Sequence, residues 1–176
     1  MNRFLHMVWA LATLTLASAC ARADAAGQRE DQFKAAYVFN FVKFVEWPEG
    51  VILDSFTICF VGGEGVYNAL TLGIDKKRVG TRRVTALQLA GTSPSGACNA
   101  LYIDASMISD YVLTHEPAML TISDARGFAQ NGGMIELFTE NHRLRFLINV
   151  HNAHQSGLRI SSDLLKLAAG VQRELQ

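Results

Sequence analysis

A surplus of either charge is missing from this sequence: Lys and Arg number 16, Asp and Glu 16. Nucleic acid selects basic faces, so the even balance argues against it as a partner. Long hydrophobic runs are also missing after the first 20 residues, and no later segment approaches the roughly 20 apolar residues that span a bilayer. There is no internal repeat and no low-complexity tract. The short motifs of common chemistries are absent too. No G-x-S-x-G marks a serine nucleophile, and no C-x-x-C marks a redox or zinc pair. "GGEGVYN" stands between a strand-like and a helix-like stretch, but Gly63-x-Gly65-x-x-Asn68 lacks the third glycine of a dinucleotide loop. A tight turn explains it, although anion binding at the helix start is physically allowed.

Other polar residues are weak signals. His151 and His154 share a helix face at i, i+3, yet two imidazoles without a neighbouring carboxylate or thiolate make a poor metal site. Asp104, Asp110 and Asp124 stand near strand ends, where α/β sites often lie. Capping and turn chemistry account for them more simply. No constellation supports catalysis, so neither an enzyme nor a metal or cofactor is expected.

What is present begins with "MNRFLHMVWALATLTLASACARADAAG". Arg3 is a positive n-region, Met7–Leu16 a short apolar core, and small residues follow as cleavage requires. Residues 1–25 therefore read as an export signal. "LASAC" loosely resembles a lipoprotein box that would anchor the chain at Cys20, but Ala17 stands where a larger aliphatic is usual, so a cleaved periplasmic product is the expectation. Removing residues 1–25 leaves 14 basic and 15 acidic residues in a single domain-sized chain. Two cysteines remain, Cys59 and Cys98. An even pair in an exported chain suggests a disulfide; a reactive thiol pair and a metal pair are the rival readings.

Along the mature chain, 26–32 is polar and reads as a short linker or helix start, and 33–176 as one domain. Spacing predicts a helix over 33–46, with Phe33, Tyr37, Phe41, Phe44 and Val45 on the sheet-facing side and Pro48 as the stop. Phe39 and Val42 fall elsewhere on the wheel, beside Lys43 and Glu46. Strands follow at "SFTICFVGG", "RRVTALQL", "NALYID" and "AMLTISD", with helices at "GVYNALTLG" and "MISDYVLTHE". "ARGFAQNGGM" is a glycine-rich loop. "MIELFTENHRLRFLINV" reads as a hairpin with Glu140-Asn141 at its turn. A last helix, capped by Ser161 or Ser162, carries Leu164, Leu165, Leu167, Ala168 and Val171 as its apolar side. The alternation predicts an α/β fold: a three-layer α/β/α sandwich over a mixed, mostly parallel sheet of five or six strands.

Three blocks in this order resemble the YfiR family of periplasmic regulators: "KAAYVFNFVKFVEWP", "LTISDARGFAQNGGMIEL" and "LRFLINVHNAHQSGLRISSDLLKLA". The resemblance covers about Phe33 to Ala169, and Cys59 and Cys98 fall where that family places a disulfide. It implies a non-catalytic repressor that binds the periplasmic part of an inner-membrane diguanylate cyclase, lowering cyclic-di-GMP and biofilm formation. An OmpA-like outer-membrane lipoprotein would draw the repressor away. Some members carry a second disulfide in the late hairpin; "MIELFTENHRL" has no cysteine, so any redox response rests on one bond.

Two candidate surfaces follow. Phe39, Val42, Lys43 and Glu46 form an apolar pair beside charges, which reads either as an interface with the membrane sensor or with a second copy in a homodimer, or as core covered by a neighbouring helix such as the C-terminal one. Gly63, Glu64, Gly65, Arg126 and Gly132 would line a crevice at the carboxyl ends of the strands. That crevice supports an alternative function, a periplasmic small-ligand sensor feeding a membrane histidine kinase.

Overall fold

The computed structural model describes residues 25–51, 54–91, 98–109 and 116–173. The expected signal segment with Cys20, residues 52–53, the expected loop 92–97, most of the expected helix after Asp104 and the last three residues lie outside them.

A first helix, α1, runs through residues 25–43, so the stretch expected as a linker is helical. It is followed by β1 (Val45–Glu46), β2 (Ser55–Val61), α2 (Glu64–Thr71), β3 (Arg78–Val79), β4 (Arg82–Gln88), β5 (Ala100–Ile103) and β6 (Leu120–Ser123). The rest is β7 (Ile135–Glu140), β8 (Arg143–Asn149), α3 (Val150–Gln155), β9 (Arg159–Ile160), α4 (Ser162–Leu167) and β10 (Gly170–Gln172).

The main sheet has eight strands, more than expected, in the order β10-β8-β7-β6-β5-β2-β4-β3. Strands β4, β2, β5, β6 and β7 are parallel neighbours. The sheet turns antiparallel at β7–β8 and at β3–β4. The two extra members are short: β3 is the edge of a hairpin, and β10 replaces the end of the expected last helix. Chain order reverses between β2 and β5, which makes their carboxyl ends the switch point of the sheet.

Strand alternation sends Phe56, Ile58, Phe60, Tyr102, Leu120, Ile122, Ile135 and Leu137 to one face, where all four helices meet them in the larger core. The other face carries Cys59, Val61, Leu101, Ile103 and Met119. Among the described residues it is covered by a 3₁₀ turn (Ala105–Met107) and by Ala125 and Phe128 of the loop 124–133, not by an α-helix. The expected third layer is therefore not helical in its described part.

The helix α1 is rotated relative to its predicted face, starts eight residues earlier and ends three residues sooner than its spacing predicts. Ala35, Val38, Phe41 and Val42 are buried, while Phe33 is 61% exposed. Burial of each Val or Phe side chain among them contributes about 1.5–3 kcal/mol. Phe41 and Tyr37 stack edge-on against Phe146 of β8, at 4.9 and 5.9 Å between centroids. The helix stops at residue 43 because Val45 and Glu46 are captured as a strand by Ile160 and Arg159. Pro48 reinforces the extended backbone before it. Trp47 then fixes the exit, donating its indole N–H to the Ala118 carbonyl at 2.9 Å and packing on Phe56.

Two further expectations shift by local chemistry. The late hairpin turns on Asn141-His142, both at positive φ (50° and 59°), as a two-residue primed turn needs, rather than on Glu140-Asn141. Helix α4 is capped by Ser161, whose Oγ accepts from Leu164 N–H at 3.2 Å. It ends at Leu167, which is exposed, and Val171 pairs with Ile148 in the sheet instead of continuing a helical face.

Candidate functional site

The expected interface residues do not share one surface. Val42, on the inner side of α1, is fully buried, which fits its reading as core and not as part of an outer face. Lys43 and Glu46 are exposed, and Phe39 is half-buried. Two ammonium groups sit over the Phe39 ring, Lys77 at 4.2 Å and Lys43 at 5.8 Å from the centroid. The apolar ring is thus the base of a cationic surface formed by the end of α1 and the approach to β3, not a bare anchor.

At the switch point, Gly62 and Gly63 lead from β2 into α2 with φ of 67° and 61°. A β-carbon on Gly62 would meet Met107 Cγ at 2.6 Å, and one on Gly63 would meet the Tyr102 ring at 2.8 Å. Only glycine fits both the backbone and the space. No side chain caps the α2 N-terminus. The Asp31 carboxylate of α1 lies against Gly65, where any β-carbon would collide with it, and the Asp104 carboxylate lies beside Gly63.

One turn further along α1, Lys34 donates to Asp124 Oδ2 at 2.7 Å and pairs with Glu30 at 2.9 Å. Asp124 follows β6 and also accepts the Ala105 N–H at 2.8 Å. Asp104 follows β5 and accepts from Ser106 N–H at 2.9 Å. Tyr102 lies below, sealed from solvent, and its hydroxyl makes no hydrogen bond of good geometry although Asp124 is close enough to act on it electrostatically.

The acids crowd one another. Burial raises the Asp31 carboxyl; Lys34 opposes, and Glu30, Asp104 and Asp124 add to the rise. For Lys34, burial acts downward, but the hydrogen bonds to Asp124 and Glu30 outweigh it and its ammonium is held above the usual value.

The expected crevice is therefore divided by α1. Gly65 lines a cleft of about 310 Å³ with Asp31, Asn68 and Leu72. Arg126, exposed, lines another of about 260 Å³ with Glu30, Lys34 and Asp124. Gly132 lines neither.

The glycine-rich loop has a different basis. Glu136, buried on β7, accepts the N–H groups of Gly127 at 3.1 Å and Ala129 at 3.2 Å. Asn149 donates to the Ala129 carbonyl at 2.8 Å, and Asn152 to that of Gly133 at 3.2 Å. Thr121 Oγ1 accepts from Met134 N–H. Buried polar side chains thus supply to an irregular segment the bonds that a strand would supply. Motif reading missed Glu136 and Asn152, as it missed Asp31, Lys34 and Tyr102, and Asn149 stood out only within the C-terminal block of the family resemblance. The signal for Glu136 was there: a carboxylate at an inward position of the apolar run "MIELF".

Cys59 and Cys98 form a disulfide joining β2 to the segment before β5, with Cα atoms 5.7 Å apart. His151 and His154 lie on α3, and the described residues hold no cluster of three or more metal-ligating side chains.

A family model described as YfiR/HmsC-like matches residues 31–169, from the middle of α1 to the start of β10. The chain belongs to the YfiR/HmsC-like family. Membership implies a YfiR-type regulator, in a family that is generally non-catalytic and works on protein partners. No curated protein matches the chain.

Proposed function

We propose that this YfiR/HmsC-like protein is an exported, non-catalytic repressor. It binds the periplasmic part of an inner-membrane diguanylate cyclase and holds it inactive, lowering cyclic-di-GMP and biofilm formation. The observation that carries the reading is the family match across residues 31–169. The Cys59–Cys98 bond supports it, because such bonds persist mainly in oxidising compartments such as the periplasm. An OmpA-like outer-membrane lipoprotein is the proposed competitor for the repressor.

For the contact surface we take the cationic patch of Lys43 and Lys77 around Phe39. Charges at an interface rim steer encounter and select partners more than they add affinity. The test is genetic and biochemical. Deleting the gene should raise cyclic-di-GMP only in cells that keep the membrane cyclase, and Lys43→Glu with Lys77→Glu should fail to restore repression while the purified variant stays folded. Unchanged cyclic-di-GMP in the deletion strain, or a rise that persists without the cyclase, overturns the reading.

A further inference from the structure

The even balance of charge hides a segregation. Residues 75–83, at the β3 edge of the sheet, hold five cations, Lys76, Lys77, Arg78, Arg82 and Arg83, against one acid, Asp75. The rest of the chain after residue 25 carries nine basic and 14 acidic residues. Lys43 brings a further cation, over the same Phe39 ring as Lys77. Among the described residues no carboxylate lies within ion-pair distance of Lys76, Lys77, Arg78 or Arg83.

The arrangement works against the fold. Arg78 and Arg83 stand directly opposite each other across the β3–β4 hairpin. Like charges so placed weaken a strand pair. Arg78 turns one guanidinium nitrogen to the Asp75 and Lys77 carbonyls, at 3.2 and 3.1 Å, and Arg83 is exposed. Anions lying against the pair would relieve the repulsion. Protection of an edge strand from pairing accounts for charge at this place. A strand of two residues needs little of it, however, and acids would serve as well.

The shape of the surface selects the partner. Arg78 and Arg83 share one face of the hairpin, Arg82 lies on the other, and β3 is the outermost strand. Cations spread over both faces of a projecting edge suit an extended anionic plane, whereas a peptide needs a walled groove. An apolar group stands beside them: Leu72, four residues before Lys76, is 84% exposed. Basic residues next to an exposed leucine are the composition of a surface that lies on lipid headgroups.

We propose that the β3–β4 edge docks this protein on an anionic phospholipid membrane, with Lys76, Arg78 and Arg83 at the headgroups and Leu72 entering the acyl boundary. The inference does not rest on the repressor reading.

Vesicle sedimentation tests it, on the chain from residue 25 onward, which holds every described element. The chain should pellet with vesicles of equal parts phosphatidylglycerol and phosphatidylcholine, less so as sodium chloride is raised, and stay in solution with phosphatidylcholine alone. Lys76→Gln with Arg83→Gln should lower the affinity about thirtyfold, and Leu72→Gln about tenfold. All three positions are exposed, so either variant should melt no lower than the wild type. Arg143→Gln with Arg173→Gln removes the same charge toward the opposite edge of the sheet and should leave binding unchanged. Absence of binding to the anionic vesicles, equal binding to phosphatidylcholine, wild-type affinity in either edge variant, or an equal loss in the opposite-edge variant overturns the proposal. Capture of poly-L-glutamate instead of the vesicles, lost in Lys76→Gln with Arg83→Gln, also overturns it and assigns the edge to an acidic protein segment.

Discussion

Lys34 and Asp124, ninety residues apart in the chain, meet at 2.7 Å with both side chains largely shielded from water. This pair ties the first helix to the end of β6. Its partners show why it holds: Asp124 has the Ala105 N–H on its other oxygen, and Lys34 has Glu30.

Removing the ammonium alone strands the carboxylate. Lys34→Met should lower stability by about 1–3 kcal/mol, since a shielded charge loses its counterion. Adding Asp124→Asn should recover part of the loss. Urea unfolding of the two single variants and the double variant measures the coupling, and additive losses would mean the pair contributes nothing.

Asp31 predicts a pH dependence of a particular sign. Its carboxyl is raised in the folded chain above the unfolded value of 3.8, so the fold binds its proton more tightly. The contribution is fullest below that value and is lost as pH rises through the folded pKa. Asp31→Asn should therefore be more stable than the wild type at neutral pH and should flatten the stability curve above about pH 4. Lys34, also raised, contributes stability that is present at neutral pH and lost only in alkali, above its unfolded value of 10.5. Urea midpoints from pH 3.5 to 7.5 check the first claim.

The Cys59–Cys98 bond closes a 39-residue separation. Chain entropy predicts that opening it costs about 4 kcal/mol, with the measured value often smaller. Cys59→Ser with Cys98→Ser should thus melt well below the oxidised wild type, and dithiothreitol should lower the wild type toward the variant. Identical melting with and without reductant would show the crosslink to be energetically idle.

Glu136 is the centre of the loop support. Glu136→Gln keeps the shape but offers one acceptor and one donor to two N–H groups. It should cost about 1–3 kcal/mol, with Asn149→Ala in the same range. Exchange of the Gly127 and Ala129 amides should rise in Glu136→Gln before that of β6 does.

Periodicity was informative where burial follows strand alternation. "SFTICFVGG" and "NALYID" read as strands and are. It failed for α1 because a wheel cannot anticipate a strand: Val45 was counted as a helical position, and β9 captured it. The phase slipped with it, turning Phe33 outward and Val42 inward. The loop "ARGFAQNGGM" was legible as irregular, but its supports come from β7, β8 and α3, and local spacing does not encode such partners. The contact between α1 and the start of α2 was illegible for the same reason, since Asp31 meets Gly65 only after the sheet has formed.

The little ribbon of β1 and β9 bears on how such a chain matures. Val45 is made early and must wait for Ile160, almost the last residue of the domain. Contacts so distant in sequence form late, because a long loop has to close first. A polypeptide emerging from a translocation channel would have its amino-terminal helix outside, apolar side bare, until nearly the whole length had passed. On the proposed export route the helix would in that interval be open to capture by chaperones, and truncations near Arg159 should leave it in their hands.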